Sequence, residues 1–248
     1  MKKRIASRRC GFTLMETLLA VALVGTLVSI FLTVFVPARG MVQQALTKQE
    51  AERITGILRA EMGTIRPNER AGANDKRSSD GKYLTAFDKG FYWLQKSKRP
   101  STSIVIFSYR ANTSKGQRPD GSYPAVPAVK AVPGKNSQLV SMACPMNSRL
   151  HKDDIKDAVG PAFIVKMTQL RREGNKGEFK MAANPGVIAE STAPEDYYSK
   201  DEKNPWGGTV FYRADFYYMS PPNPARYKDR TWKRMGRPLF SANMSFHR

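Results

Sequence analysis

Arg8-Arg9-Cys10-Gly11-Phe12-Thr13-Leu14-Met15-Glu16 is the stretch that decides how this chain is read. A basic leader ends in glycine, and a phenylalanine then opens an apolar run holding one carboxylate, Glu16. From Leu18 to Val36 nineteen residues pass without a charge. As a helix they span about 28 Å, close to the hydrocarbon thickness of a bilayer. Gly25, Thr26, Ser29 and Thr33 do not interrupt the span, because small and hydroxyl residues are tolerated in membrane helices. Lys2, Lys3, Arg4, Arg8 and Arg9 precede it with no acid among them. That asymmetry predicts a cytoplasmic N-terminus, with the rest of the chain across the membrane. A carboxylate in such a run costs about 2.5–3.5 kcal/mol on insertion scales, so Glu16 reads as functional.

Two plainer readings compete. A secretory signal peptide has an apolar core of about 7–15 residues and a small-residue cleavage site. Here the run is longer, and Val36-Pro37-Ala38 matches that site poorly. A simple signal anchor has no use for Glu16, or for a glycine placed before Phe12.

At these residues the chain resembles the type IV pilin and type II secretion pseudopilin family, over roughly residues 1–65. The resemblance implies cleavage after Gly11 by a prepilin peptidase and N-methylation of the new terminal residue, Phe12. It implies that Glu16, the fifth mature residue, pairs with the N-terminal amine of a neighbouring subunit during assembly. A buried carboxylate needs a counter-charge, and in an apolar bundle a free amine supplies one. Pro37 lies a few residues beyond the helix-kinking proline common in the family and predicts a bend near Val34–Val36. Asn204-Pro205-Trp206-Gly207 resembles the loop-to-strand motif of major pseudopilins, with Asn204 in place of an aspartate. No aspartate-rich, calcium-holding loop follows, so no calcium ligands and no cofactor are carried over. The implied protein is a structural filament subunit, a minor component by its size. Its partners would be the peptidase, other subunits and the bacterial inner membrane, with the head in the periplasm or on the filament.

The residues divide the chain into a leader (1–11), a transmembrane and assembly helix (12–37), an amphipathic continuation (38–65) and a β-rich head (66–248). Val42, Ala45, Leu46, Ile54, Ile57, Leu58, Met62 and Ile65 recur at three- and four-residue steps, predicting one helix from Phe12 to about Thr64. Residues 66–90 read as an exposed polar loop. Strands are expected at Phe91–Gln95, Ser101–Arg110, Gln138–Met142, Ala162–Leu170 and Thr209–Met219, which are dense in β-branched and aromatic residues. The expected fold class is α+β: a long helix packed on an antiparallel-sheet head, pilin-like.

The formal net charge is +20; the leader holds five of those charges, leaving about +15 for the rest. The excess runs to the C-terminus and reads first as a solvated basic surface, second as a site for phosphate or nucleic acid. Phe211, Tyr212, Phe216, Tyr217 and Tyr218 could stack on single-stranded DNA, but read better as a sheet core. Cys144 remains alone once the leader's Cys10 is lost, and reads as a small buried residue. His151 and His247 are the only histidines, and no zinc spacing, nucleophile elbow or phosphate loop occurs. Asp153, Asp154 and Asp157, interleaved with Lys152 and Lys156, read as a solvated helix face rather than a metal site. No enzyme is expected. The alternatives to a filament subunit are a DNA-binding minor subunit and a membrane-anchored domain with no filament role.

Overall fold

A computed structural model describes residues 13–70, 83–127, 130, 132, 134–173, 178–188 and 208–247. Its contacts divide the chain into two units, Met1–Glu52 and Arg53–Arg248.

The first unit is helical. Helix α1, Leu14–Gly63, starts there and continues into the second unit, so Pro37 does not end it. Its window Leu14–Phe31 is long and apolar enough to cross a membrane, and none of it is buried. The hydroxyls in this stretch bond back to the helix itself: Thr26 Oγ1 to the Ala22 carbonyl (2.9 Å), Ser29 Oγ to Gly25 (2.9 Å) and Thr33 Oγ1 to Ser29 (2.7 Å). Each polar group is thereby satisfied without an outside partner, as a helix in hydrocarbon requires.

The second unit is an α+β head built on a six-stranded antiparallel sheet. The strands are β1 Ile104–Asn112, β2 Ser137–Pro145, β3 Ala162–Glu173, β4 Glu178–Met181, β5 Thr209–Met219 and β6 Phe240–His247. Their order is β2-β1-β3-β5-β6, with β4 paired to the far end of β3. Ile54, Leu58 and Met62, one stripe at four-residue spacing on the last turns of α1, are buried against one sheet face. Helix α2, Ala86–Lys96, adds Phe87, Phe91, Trp93 and Leu94 to the same core. The other face carries Val105, Phe107, Tyr109, Ile164 and Met219. It is covered by the short helix α3 (Lys152–Lys156), by part of 113–136, and by the irregular stretch 220–239. With both faces covered, β1 is buried at its first six residues instead of alternating in and out.

Phe91–Gln95 is the clearest departure from the sequence reading: it is helix, not strand. Thr85 caps α2, accepting from the Asp88 amide (3.2 Å) while Asp88 Oδ2 accepts from the Thr85 amide (3.0 Å). This reciprocal box nucleates a helix whose Phe87, Phe91 and Leu94 then share one face, outweighing the β preference of the aromatics. The loop expected over 66–90 therefore ends early; within it Pro67–Glu69 is a 3-10 turn, and 71–82 lie outside the described residues. Strands β4 and β6 were not anticipated. In β6, Phe240, Ala242, Met244 and Phe246 alternate with Ser241, Asn243, Ser245 and His247, a period-two pattern overlooked beside the surrounding basic charge. The remaining strand expectations agree: β5 has the bounds read from the sequence, β3 the same start, and the bounds of β1 and β2 shift by one to three residues.

Candidate functional site

Gly11 and Phe12 lie outside the described residues. Thr13 directly precedes α1, and its Oγ1 accepts a hydrogen bond from the Glu16 amide (3.3 Å). Glu16 is thus the third residue of the helix, where the macrodipole favours an acid. Thr13-Leu14-Met15-Glu16 has the spacing of a capping box, a signal present in the sequence and missed in reading it. Glu16 is exposed, and its carboxylate forms no hydrogen bond or ion pair with another described residue. It stands at the head of eleven large apolar side chains, Leu14 to Phe31, that are all at least half exposed. An exposed apolar surface of this extent is the kind that marks a membrane or protein contact.

A second polar constellation sits in the head, where the sequence reading expected none. His151 is buried with one carboxylate at each ring nitrogen: Asp120 Oδ2 lies 2.9 Å from Nε2 and Asp154 Oδ2 lies 3.0 Å from Nδ1. Arg118 closes the group, its Nη2 donating to Asp154 Oδ1 (3.1 Å) and its Nη1 to Asp154 Oδ2. The Ala125 amide also donates to Asp154 Oδ1 (2.9 Å), and Ser122 donates to Asp120 Oδ1 from its amide (3.1 Å) and its hydroxyl (2.6 Å). Asp120 belongs to the turn Arg118-Pro119-Asp120-Gly121, where Gly121 takes a positive φ of 76°. The expected turn is therefore present, and its purpose is to aim Asp120 at His151.

Burial pushes the carboxyls of Asp120 and Asp154 up, but other effects outweigh it and hold both below the usual range. For Asp120 these are the Ser122 hydrogen bonds and the charges of His151 and Arg66; for Asp154, the bonds from His151, Arg118 and Ala125. Asp154 is therefore not part of a solvated face. Asp153, beside it, is: its exposed carboxylate pairs with Lys156 at 2.9 Å. The two neighbours part company because α3 is a single turn lying on the sheet, so one side of it must be inside.

A cleft of about 440 Å³ opens above this group, lined by Arg66, Tyr92, Lys96, Cys144, Arg149 and His151 among others. Its charges are largely spent on each other. Arg66 pairs with Glu61, Glu69 with the buried Lys89 (2.7 Å), and Lys96 lies over the Tyr92 ring (4.7 Å). Lys89 also donates to the Thr64 carbonyl (2.8 Å), tying down the end of α1. The bonds among Arg118, Asp120, Ser122, Ala125, His151 and Asp154 act as a clamp holding 118–125 and α3 together. Among the described residues no three His, Cys, Asp or Glu converge on a point where a metal could sit.

Cys144 is buried and its thiol is pushed up by burial, as a small core residue should be. The aromatic run of β5 is a sheet core: Tyr212 and Phe216 face α1, Tyr217 faces the Trp232 side, and only Tyr218 is mainly exposed. His247 is an exposed residue at the end of β6, and Asn204–Gly207 lie outside the described residues. No family model, no curated protein and no solved structure matches the chain.

Proposed function

We propose that the chain is a prepilin-like structural subunit, processed after Gly11 and assembled through its N-terminal helix into a type IV pilus or type II secretion pseudopilus. The observation that carries this reading is Glu16: a lone, exposed carboxylate at the start of a helix otherwise apolar and unburied through Phe31. A membrane anchor alone gains nothing from that charge, which opposes insertion. A neighbouring subunit whose N-terminus begins at Phe12 brings an amine to the depth where Glu16 waits, and each charge then offsets the other's desolvation. The leader, rich in Lys and Arg, stays in the cytoplasm with the peptidase, and the head lies across the inner membrane. The saturated clamp around His151 supports a structural role for the head rather than a catalytic one.

Mass spectrometry of the protein purified from its membrane tests the reading. A chain that starts at methylated Phe12 is expected. Retention of Met1, or a start at Arg39, overturns it.

A further inference from the structure

The irregular stretch between β5 and β6 carries Arg226, Lys228, Arg230, Lys233, Arg234 and Arg237 against a single acid, Asp229, and all seven are exposed. Its larger apolar residues turn inward instead: Tyr227 is buried, and Trp232 and Met235 pack on the sheet core. Trp232 also donates its indole N–H to the Ser97 carbonyl (2.8 Å). That bond recruits a second basic run, because Ser97 is followed by the exposed Lys98 and Arg99. The 3-10 turn Pro100–Thr102 then packs against the turn Pro224–Tyr227. Two clusters more than a hundred residues apart in sequence thereby share one surface. None of these eight cations forms an ion pair with a described residue, and Arg230 is steadied over the Tyr227 ring (4.9 Å).

We propose that this surface binds the phosphate backbone of double-stranded nucleic acid without reading its sequence. Arginine supplies five of the eight cations, and its planar fork suits paired phosphate oxygens. Exposed cations held on a folded scaffold bind a polyanion through counterion release. A duplex fits better than a single strand, because Trp232 is committed to Ser97 and Tyr217 and offers no free ring for bases to stack on. A lipid surface fits less well: membrane-binding segments set exposed apolar side chains among their cations, and here only Leu239, at the edge, stands out. The proposal is independent of the filament reading.

The test uses the full chain in phosphatidylcholine nanodiscs and fluorescence anisotropy of a labelled mixed-sequence duplex of about 20 base pairs. Affinity is expected to fall log-linearly with salt. The triple variant Arg230→Ala/Arg234→Ala/Arg237→Ala is expected to bind at least about tenfold more weakly and to flatten the salt slope by about 2–3. All three side chains are exposed, so its melting temperature should match the parent's and rule out misfolding. Lys115→Ala/Lys130→Ala/Lys135→Ala removes the same charge from the exposed stretch between β1 and β2 and should retain binding. A flat salt response, an equal loss in that control, tighter binding of oligothymidine than of duplex, or binding of phosphatidylglycerol vesicles without binding of duplex would each overturn the proposal.

Discussion

Helix α1 contains two regions built by one backbone rule and used in opposite ways. From Leu14 to Phe31 apolar side chains surround the helix and none is buried. From Arg53 to Gly63 they form one stripe, Ile54, Leu58 and Met62, with almost no exposure. The difference lies in how the apolar residues are distributed: the first region is apolar throughout, with a mean hydropathy of 2.1, whereas the second sets its apolar stripe opposite Arg53, Arg59 and Glu61. A helix apolar all round needs a surrounding of lipid or other helices, whereas a striped helix needs one sheet face. The contrast extends to polar groups. The first region keeps its hydroxyls bonded to its own carbonyls and leaves Glu16 alone; the head surrounds each buried acid with several donors.

Three changes probe that contrast. The largest effect is expected at Glu16. Glu16→Gln keeps the size and the capping geometry beside Thr13 but deletes the charge. It should leave membrane fractionation unchanged and abolish incorporation into filaments, scored by cross-linking to neighbouring subunits. Normal incorporation would mean that Glu16 serves only as a helix cap. Next comes the stripe. Leu58→Ala should destabilise the head by about 2–5 kcal/mol, read from its thermal or denaturant unfolding, because it opens a cavity in a closed core. Leu23→Ala, with Leu23 fully outside the head core, should leave that transition in place. Equal shifts from both would erase the distinction between the two regions.

The smallest effect, and the most informative about the acids, is expected from Asp154→Asn. At pH 7 it should cost about 1–3 kcal/mol by weakening charge-assisted bonds to Arg118 and His151. The Asp154 carboxyl is held below its usual range in the folded head, so its contribution is full above the unfolded value near 4 and is lost as pH falls through the lower folded value. Parent and variant melting temperatures should therefore converge below about pH 4. A gap that stays constant down to pH 2 would show that Asp154 acts through shape rather than charge.

Much of the fold was legible where one local pattern dominated. Helix α1 ends within a residue or so of the expected bound, because its stripe stops where Arg66-Pro67 begins. Strand β5 was legible in full, since a run of eleven residues dense in aromatic and β-branched side chains has no rival signal. Helix α2 was misread because Phe91, Tyr92 and Trp93 favour strands one by one, while the cap that settles the matter sits six residues upstream at Thr85. The clamp at His151 was not legible at all. Asp120, His151 and Asp154 meet only when the sheet register sets the β1–β2 connection beside α3, and nothing in their spacing announces that.

The sequence by itself therefore determined the apolar helix, the position of its one carboxylate, the α+β class and the long β5 strand. Those features depend on neighbours within a turn or a pleat, where periodicity and charge act directly. Only the tertiary structure decided which acids are buried, that β1 is covered on both faces, and that Lys98 and Arg99 join the cations of 226–237. Such outcomes depend on which distant segments the sheet brings together, and burial, which sets the strength of a charge or a hydrogen bond, is a property of that assembly.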